Sequence, residues 1–268
     1  MNPWLATLQW YIDLGVDEAI AATPWNRFEA AVAPTSVAEA GQPRLQAAVT
    51  PLAKAPPPPP RPAAPPPSPD LLHLSDVHDL ETLRARLEAY DGCALKATAT
   101  NTVFGSGPAD ARLMIIGEAP GEEEDRRGIP FVGPSGHLLD RMLAAIGMDR
   151  EQVYIANTLY WRPPGNRTPT PAETQACLPF LKRQIELIGP KALLLVGAAA
   201  AKTMLQRSEG IMRMRGRWFD YASGDGRPDI PALATFHPAY LLRSPAQKRE
   251  AWRDLQMLQI RLAGGKAE

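Results

Sequence analysis

Three segments of this sequence end in a side chain that can make directed hydrogen bonds. Glu118 follows the apolar run RLMIIG, Asn157 ends VYIAN, and His237 follows ALATF. A carboxylate can orient a water molecule, a carboxamide offers a donor and an acceptor to a planar amide edge, and an imidazole can donate to a developing oxyanion. Phe131, within GIPFVG, adds an aromatic face on which a ring could stack.

Each of these residues also has an ordinary structural explanation. An Asn after a strand is usually a turn residue, an isolated His is usually a satisfied core or surface residue, and a Phe in a loop usually packs. Taken singly, each residue favours that explanation. Convergence of all four at one edge of a sheet would instead favour a shared site.

The elements that must position these residues alternate along the chain from about residue 71. Apolar runs predict strands at 112–118, 153–157, 192–197 and 232–238. Such alternation with helices indicates an α/β fold, a three-layer sandwich with a central four-stranded, mainly parallel sheet. Sites in such sheets lie at the carboxyl ends of the strands, where the polar residues are. Helices are predicted at 79–90, 134–147, 170–188, 198–206 and 245–263.

Two helix starts carry recognisable capping signals. Ser135 is placed to cap the helix at 134–147, and Gly147 to end it. Thr170 and Glu173 form a capping-box pattern before the helix at 170–188.

The first 70 residues differ from the rest and suggest three parts. Residues 1–33 are predicted to be a helical segment, with an amphipathic helix over 3–22 that could dock on the main domain or bind another protein. Residues 34–70 are predicted to be a disordered linker, because 11 of the 20 residues from 51 to 70 are Pro. Residues 71–268 form the predicted compact domain.

Composition limits the classes of partner and compartment. The formal net charge is +0, so a polyanion would have to be bound by local patches. Two Cys do not make a disulfide scaffold, and neither a signal peptide nor a membrane span is recognisable. A cytoplasmic, nucleoid-associated protein without membrane contact is expected, and a monomer.

The stretch 117–136, GEAPGEEEDRRGIPFVGPSG, is rich in Gly like a phosphate-binding loop, but it also contains many acidic residues. It lacks the Lys followed by Ser or Thr of a P-loop and the third Gly of the dinucleotide fingerprint. A nucleotide-binding enzyme is therefore disfavoured. Glu122, Glu123 and Glu124 are expected to form a solvated face, with Asp125 pointing inward.

Four motifs together resemble the family 4 uracil-DNA glycosylases of bacteria and archaea. They are GEAPGEEEDRRGIPFVGPSGHLLDRML, VYIAN, RPPGNRTPTPAE and ATFHPAYLLR, in the order and spacing of that family, and the resemblance covers about residues 80–262. It implies a DNA repair glycosylase of base excision repair that flips uracil out of DNA and hydrolyses its N-glycosidic bond. Water attacks a cationic sugar, and an abasic site remains. The alternative is a non-catalytic or differently specific DNA-binding member of the superfamily.

The resemblance also implies a role for each motif residue. Glu118 or Asp125 would position the water, His237 would donate to uracil O2, Asn157 would pair with O4 and N3–H, and Phe131 would stack. Gly117, Ala119, Pro120 and Gly121 would shape the uracil pocket. The implied DNA contacts are Leu241, Leu242 and Arg243 in the minor groove, and the alternative for Leu241 and Leu242 is ordinary helix core. Independently of the resemblance, the helix start at Ser135 and Gly136 can offer backbone N–H groups to a DNA phosphate. Arg213, Arg215 and Arg217 form either a phosphate-contacting stripe or a solvated strand face.

The sequence departs from the family at the cofactor. Relatives usually hold a [4Fe–4S] cluster on four Cys, and the matching positions here are Tyr90, Cys93, Trp161 and Cys177. Two thiolates do not satisfy a four-ligand cluster. We therefore predict that the aromatic residues pack where the cluster sits in relatives and that neither a cluster nor another metal is bound.

A second departure concerns specificity. The residue after Pro120 is Gly121, where the best-known uracil-excising family has a Tyr that excludes the methyl group of thymine. Exclusion of thymine must therefore come from elsewhere or be weaker.

Overall fold

The computed structural model describes residues 74–224 and 227–264. The predicted N-terminal helix and Pro-rich linker lie outside these residues, as do the first three residues of the predicted domain. Within the described ranges, no helix is both long and apolar enough to cross a bilayer.

Five strands form one sheet in the order β2-β1-β3-β5-β4. Neighbours among β1, β2, β3 and β5 are parallel, and β4 pairs antiparallel with β5 at the edge. The predicted α/β class and mainly parallel sheet are confirmed, and the fifth strand is an addition to the prediction. The strands are β1 (Leu113–Gly117), β2 (Tyr154–Asn157), β3 (Ala192–Val196), β4 (Trp218–Tyr221) and β5 (Ile230–Thr235).

Eight α-helices accompany the strands within the described residues. They are α1 (Leu80–Ala89), α2 (Glu122–Arg127), α3 (Pro134–Ala145), α4 (Pro171–Ile188), α5 (Ala198–Leu205), α6 (Ile211–Met214), α7 (Pro238–Arg243) and α8 (Lys248–Leu262).

The core lies on both faces of the sheet because successive strand residues point to opposite sides. In β1, Met114 and Ile116 join one apolar cluster with residues of α1 and α4. Leu113 and Ile115 join a second cluster with residues of α3 and α8. Burial on both faces explains why this strand is an uninterrupted apolar run.

The two predicted caps have different outcomes. At α4, Thr170 Oγ1 accepts from Glu173 N at 3.2 Å and Glu173 Oε2 accepts from Thr170 N at 2.8 Å, so the capping box is confirmed. At α3, the prediction for Ser135 is wrong, since the residue at the N-cap is Gly133. Pro134 is the first residue of the helix, so α3 begins two residues earlier than it would with Ser135 as the N-cap.

Arg215 is part of a partly buried network and not of an exposed phosphate-contacting stripe. Its guanidinium binds Asp254, with Nε at 3.1 Å from Oδ2, and Glu250, with Nη1 at 2.9 Å from Oε2. Asp254 is completely buried and also accepts from Thr235 Oγ1 at 2.7 Å. The network therefore joins α8 to the carboxyl end of β5, two residues before His237.

Replacing Arg215 by alanine is expected to lower the free energy of unfolding by about 3 kcal/mol, because the buried carboxylate of Asp254 loses its cationic partner. Chemical denaturation of the purified variants measures the effect. Arg213→Ala is the matched control, since Arg213 is exposed, and it should stay within about 0.5 kcal/mol of the parent protein. Equal, small effects of both substitutions would contradict this account.

Candidate active site

A cavity of about 480 Å³ opens at the carboxyl edge of the sheet. Its walls include Glu118, Phe131, Asn157 and His237, so the four residues that the strand ends and the loop suggested lie around one space. The other lining residues are Ala119, Pro120, Gly121, Glu124, Ser135, Pro163, Asn166, Arg167, Thr168, Ala239, Tyr240 and Arg243.

Asn157 lines this cavity and carries a buried acceptor atom without a partner among the described residues. The residue is 1 % exposed, and its Oδ1 has no hydrogen-bond partner within the described part of the chain. A Cβ atom on Gly117 would come within 2.4 Å of this Oδ1 and 2.7 Å of the Phe131 ring. Only glycine at 117 therefore lets the amide and the ring approach so closely. A buried acceptor without a partner is costly, so the site is suited to a ligand that brings an N–H.

Phe131 is held in a backbone conformation that non-glycine residues rarely adopt, with φ at 53°. Arg150 Nη1 donates to the Phe131 carbonyl oxygen at 2.8 Å, and Arg150 Nη2 donates to that of Pro130. Beneath it, a Cβ on Gly136 would lie 1.8 Å from the same Phe131 oxygen. The glycine lets α3 pack directly against the loop, and this contact fixes the direction of the ring.

His237 presents a defined donor. It is the N-cap of α7, and its Nδ1 accepts from Ala239 N at 3.1 Å. The neutral ring therefore carries its proton on Nε2, which can donate a hydrogen bond. Burial, helped by the positive charge of Arg243 and opposed by Glu124, lowers the pKa of His237 to about 4. The ring centroid lies 5.6 Å from that of Phe131.

The two candidate water-positioning carboxylates are in different places. Glu118 lines the cavity, and burial raises the pKa of its carboxyl group. Asp125 is buried and points inward, as expected, but it lies outside the cavity wall. Its Oδ1 accepts from Thr100 N at 2.8 Å and Asn101 N at 3.1 Å, so it fixes the chain before β1. The geometry favours Glu118.

The sequence suggested that Glu124 belongs to a solvated face, and this prediction is wrong. Its Oε1 accepts from Val132 N and Gly133 N, both at 2.9 Å, and its Oε2 accepts from Gly121 N at 3.1 Å. One carboxylate thus joins the two stretches of loop that flank α2 and also lines the cavity. The spacing Gly-x-x-Glu at a helix start was the signal for it, since a glutamate at the third helical position often binds the N-cap amide.

The predicted DNA contacts divide into exposed and buried residues. Leu242 is 40 % exposed, and Arg243 is also exposed. Leu241 is 1 % exposed and packs in the core, so the helix-core alternative holds for it and it is not available to a groove. Ser135 lines the cavity, while Gly136 is buried beneath Phe131.

One cavity wall lies within the motif RPPGNRTPTPAE, but none of its residues was predicted as a site residue. Pro163, Asn166, Arg167 and Thr168 belong to a loop between β2 and α4, and this loop has no periodicity from which an inward face could be read.

Tyr90, Cys93, Trp161 and Cys177 are all buried in the same apolar cluster. The two thiols influence each other: a hydrogen bond from Cys177 lowers the pKa of Cys93, and the proximity of Cys93 together with burial raises that of Cys177. The Tyr90 ring lies 5.1 Å from that of Phe180, and Trp161 Nε1 donates to Thr102 Oγ1 at 3.0 Å. Two thiols among packed rings do not fit a four-thiolate cluster, and the described residues contain no group of three potential metal ligands.

Comparison with known proteins gives a consistent family. A model of the uracil DNA glycosylase superfamily matches residues 104–256. The chain is 42 % identical over 166 residues to a type-4 uracil-DNA glycosylase of Thermotoga maritima. The aligned segment covers 62 % of this chain and 84 % of the relative. It is 37 % identical over 183 residues to a type-4 uracil-DNA glycosylase of Pyrobaculum aerophilum. Here the aligned segment covers 67 % of this chain and 92 % of the relative. A type-5 uracil-DNA glycosylase of Pyrobaculum aerophilum is 26 % identical over 150 residues, covering 50 % and 64 %.

Proposed function

Since this chain belongs to the type-4 uracil-DNA glycosylases of the uracil-DNA glycosylase superfamily, we propose that its cavity takes up a uracil flipped out of DNA and cleaves the bond to deoxyribose. The observation that carries the proposal is the buried, unpartnered Oδ1 of Asn157 beside Phe131 and His237. Residues 71–268 would form the catalytic domain, acting in the cytoplasm as a monomer.

Recognition of uracil rests on the two ends of one amide. Asn157 Oδ1 accepts from N3–H and Nδ2 donates to O4, while Phe131 stacks on the ring. Cytosine presents the opposite pattern at these two atoms, a donor at position 4 and an acceptor at N3. A fixed amide therefore rejects it, because the amide's own buried groups would be left unpaired.

Cleavage places negative charge on the departing base. As the C1′–N1 bond breaks, its electron pair goes to the uracil, and charge accumulates on O2. The Nε2–H of His237 donates to this oxygen, an oxyanion contact worth about 3–4 kcal/mol. A neutral imidazole, whose pKa is about 4, performs this role without transferring a proton.

The sugar that remains is cationic and is attacked by water. Glu118 accepts a hydrogen bond from the water, stabilises the cation with its charge, and takes the water proton as the new C1′–O bond forms. Burial raises the pKa of Glu118, so its carboxylate is a stronger base than one in water. The products are free uracil and an abasic site in an intact strand.

Access requires that the base leave the duplex stack. Arg243 lines the cavity, and the neighbouring Leu242 is exposed at the end of α7, so both can enter the minor groove next to the position that the base leaves in the stack. Backbone N–H groups at the start of α3, next to Ser135, can bind a phosphate.

Release of uracil from a duplex with a single U·G pair tests the proposal, with alkaline strand scission reporting the abasic site. Parallel U·A and single-stranded substrates rank the preferred DNA. Tight binding of the uracil-containing duplex without release of uracil would instead favour a non-catalytic DNA-binding protein.

Protein purified under anaerobic conditions is expected to contain well below one iron per chain and to lack the visible absorbance of an iron–sulfur cluster, because two of the four ligand positions hold Tyr90 and Trp161. Elemental analysis and acid-labile sulfide determination measure this. Cys93→Ala should leave both values unchanged. Stoichiometric iron and sulfide would contradict the prediction.

A further inference from the structure

The two residues that precede His237 are fixed by a charged pair that lies outside the cavity. Thr235 Oγ1 donates to Asp254 Oδ2 at 2.7 Å. The next residue, Phe236, is buried, and its ring centroid lies 5.6 Å from the guanidinium carbon of Arg215. Because Arg215 also binds Asp254, one ion pair contacts both residues from which the chain enters His237.

The backbone at Gly216 makes room for the carboxylate of this pair. Gly216 N donates to the Ala234 carbonyl oxygen at 3.0 Å, and its φ is 65°. A Cβ atom on Gly216 would lie 2.8 Å from Asp254 Oδ1. A larger residue would therefore be strained in its backbone and would displace the carboxylate.

The buried charge of Asp254 provides direction rather than stability alone. Burial raises the pKa of its carboxyl group more than the hydrogen bonds from Arg215 and Thr235 lower it, so the charged form is costly to bury. Replacing a buried ion pair by well-packed apolar residues is often neutral or stabilising. What the ion pair adds to apolar packing is a set of charge-assisted hydrogen bonds with a narrow range of geometry. Here that geometry is imposed on Thr235, two residues before His237.

A second contact limits the position of the imidazole itself. A Cβ atom on Gly197 would lie 3.1 Å from His237 Cβ and 3.4 Å from its Cδ2. Gly197 N also donates to the Thr235 carbonyl oxygen at 2.9 Å. The end of β5 is therefore held between Gly197 on one side and Asp254 on the other, and a shift at Thr235 would move the His237 ring.

We propose that Thr235, Asp254 and Arg215 are positioning residues for His237, which hold its Nε2–H in the direction of the uracil oxygen that becomes negatively charged. This role rests on the proposed function. None of the three is among the described residues that line the cavity, so they act through His237 without touching the base. A donor stabilises developing charge only if it is in place beforehand, and a misplacement of about 1 Å can slow a reaction about 100-fold.

Substitutions of Thr235 test this role without breaking the ion pair. Thr235→Val keeps the size of the side chain but removes the hydroxyl group, and it should slow single-turnover release of uracil from the U·G duplex about tenfold at saturating enzyme. Thr235→Ser keeps the hydroxyl group and should stay within about twofold of the parent. Thr82→Val is the matched control, because Thr82 Oγ1 also donates to an aspartate, Asp79 Oδ2 at 2.9 Å, but at the exposed start of α1. Its rate should not change.

A double-mutant cycle shows whether the effect passes through His237. In the His237→Ala background the donor is absent, so adding Thr235→Val should change the remaining rate by less than about twofold. A general disturbance of the site would slow release about tenfold in either background. Equal slowing with and without His237 would therefore overturn the positioning role.

The outcomes separate this inference from the proposed function. If the parent protein releases uracil and a folded Thr235→Val protein releases it equally fast, the inference is overturned and the function stands. If the parent protein releases no uracil, the function is overturned and the inference with it. Should Thr235→Val not fold, Thr235→Ala, which also lacks the hydroxyl group, replaces it in both measurements with the same expected results.

Discussion

Replacing Asn157 by alanine should reduce the single-turnover rate of uracil release by about 10³- to 10⁴-fold, because both directed hydrogen bonds to the base are lost. The effect is large because the amide lies in a buried wall where water cannot substitute for it. Measurement on the U·G duplex at saturating enzyme separates the chemical step from DNA binding.

Two controls make the Asn157 result specific. Asn157→Asp keeps the size of the side chain but cannot donate to O4, so it should lose uracil release to a similar degree. The free energy of unfolding of Asn157→Ala should remain within about 1 kcal/mol of the parent, since the alanine also removes an unpartnered buried acceptor. Near-normal release by the alanine variant would remove Asn157 from the site.

Replacing His237 by alanine should slow uracil release by about 10³-fold, through loss of the donor to O2. His137→Ala is the matched control, because His137 is exposed on α3 and lies outside the cavity wall, and it should keep its activity within about twofold. If the two variants were equally active, the oxyanion role of His237 would be abandoned.

The lowered pKa of His237 also has consequences for pH dependence. With a pKa of about 4 in the folded protein, the ring stays neutral through the region near 6.5 where an ordinary histidine titrates. Between pH 6.5 and 4 the unfolded chain binds the proton more readily, so this residue makes stability fall as the pH is lowered through that window. The free energy of unfolding should fall less between pH 7 and pH 5 in His237→Gln than in the parent protein, as measured by chemical denaturation at both pH values.

The sequence predicted the fold best where burial imposes a simple pattern. Parallel strands covered on both faces are uninterrupted apolar runs, so β1, β2 and β3 were identified within one residue. The prediction for β5, 232–238, starts two residues late and ends three residues late. The edge strand β4 was missed because it is short, partly exposed and antiparallel. Its four residues, Trp218 to Tyr221, contain one polar side chain and are too few to show a clear alternating pattern.

The positions of Asn157 and His237 in the cavity wall were predictable, because each follows a strand that ends at the same edge of the sheet. It was not predictable where the partners are backbone atoms. Asp125 and Glu124 are neighbouring acids in one short helix, yet one binds amides at residues 100 and 101 and the other binds amides at 121, 132 and 133. Only the path of the chain around α2 decides which of them faces the cavity.

The backbone conformation at Phe131 orients the aromatic ring when the chain folds, before any ligand is bound. A left-handed conformation at a phenylalanine costs on the order of 1–2 kcal/mol, and the contacts of Arg150 and Gly136 hold it in place. That cost is incurred once, as the chain folds. Under the proposed function, each base that enters the cavity meets a ring already in position, so binding need not include a conformational search by Phe131.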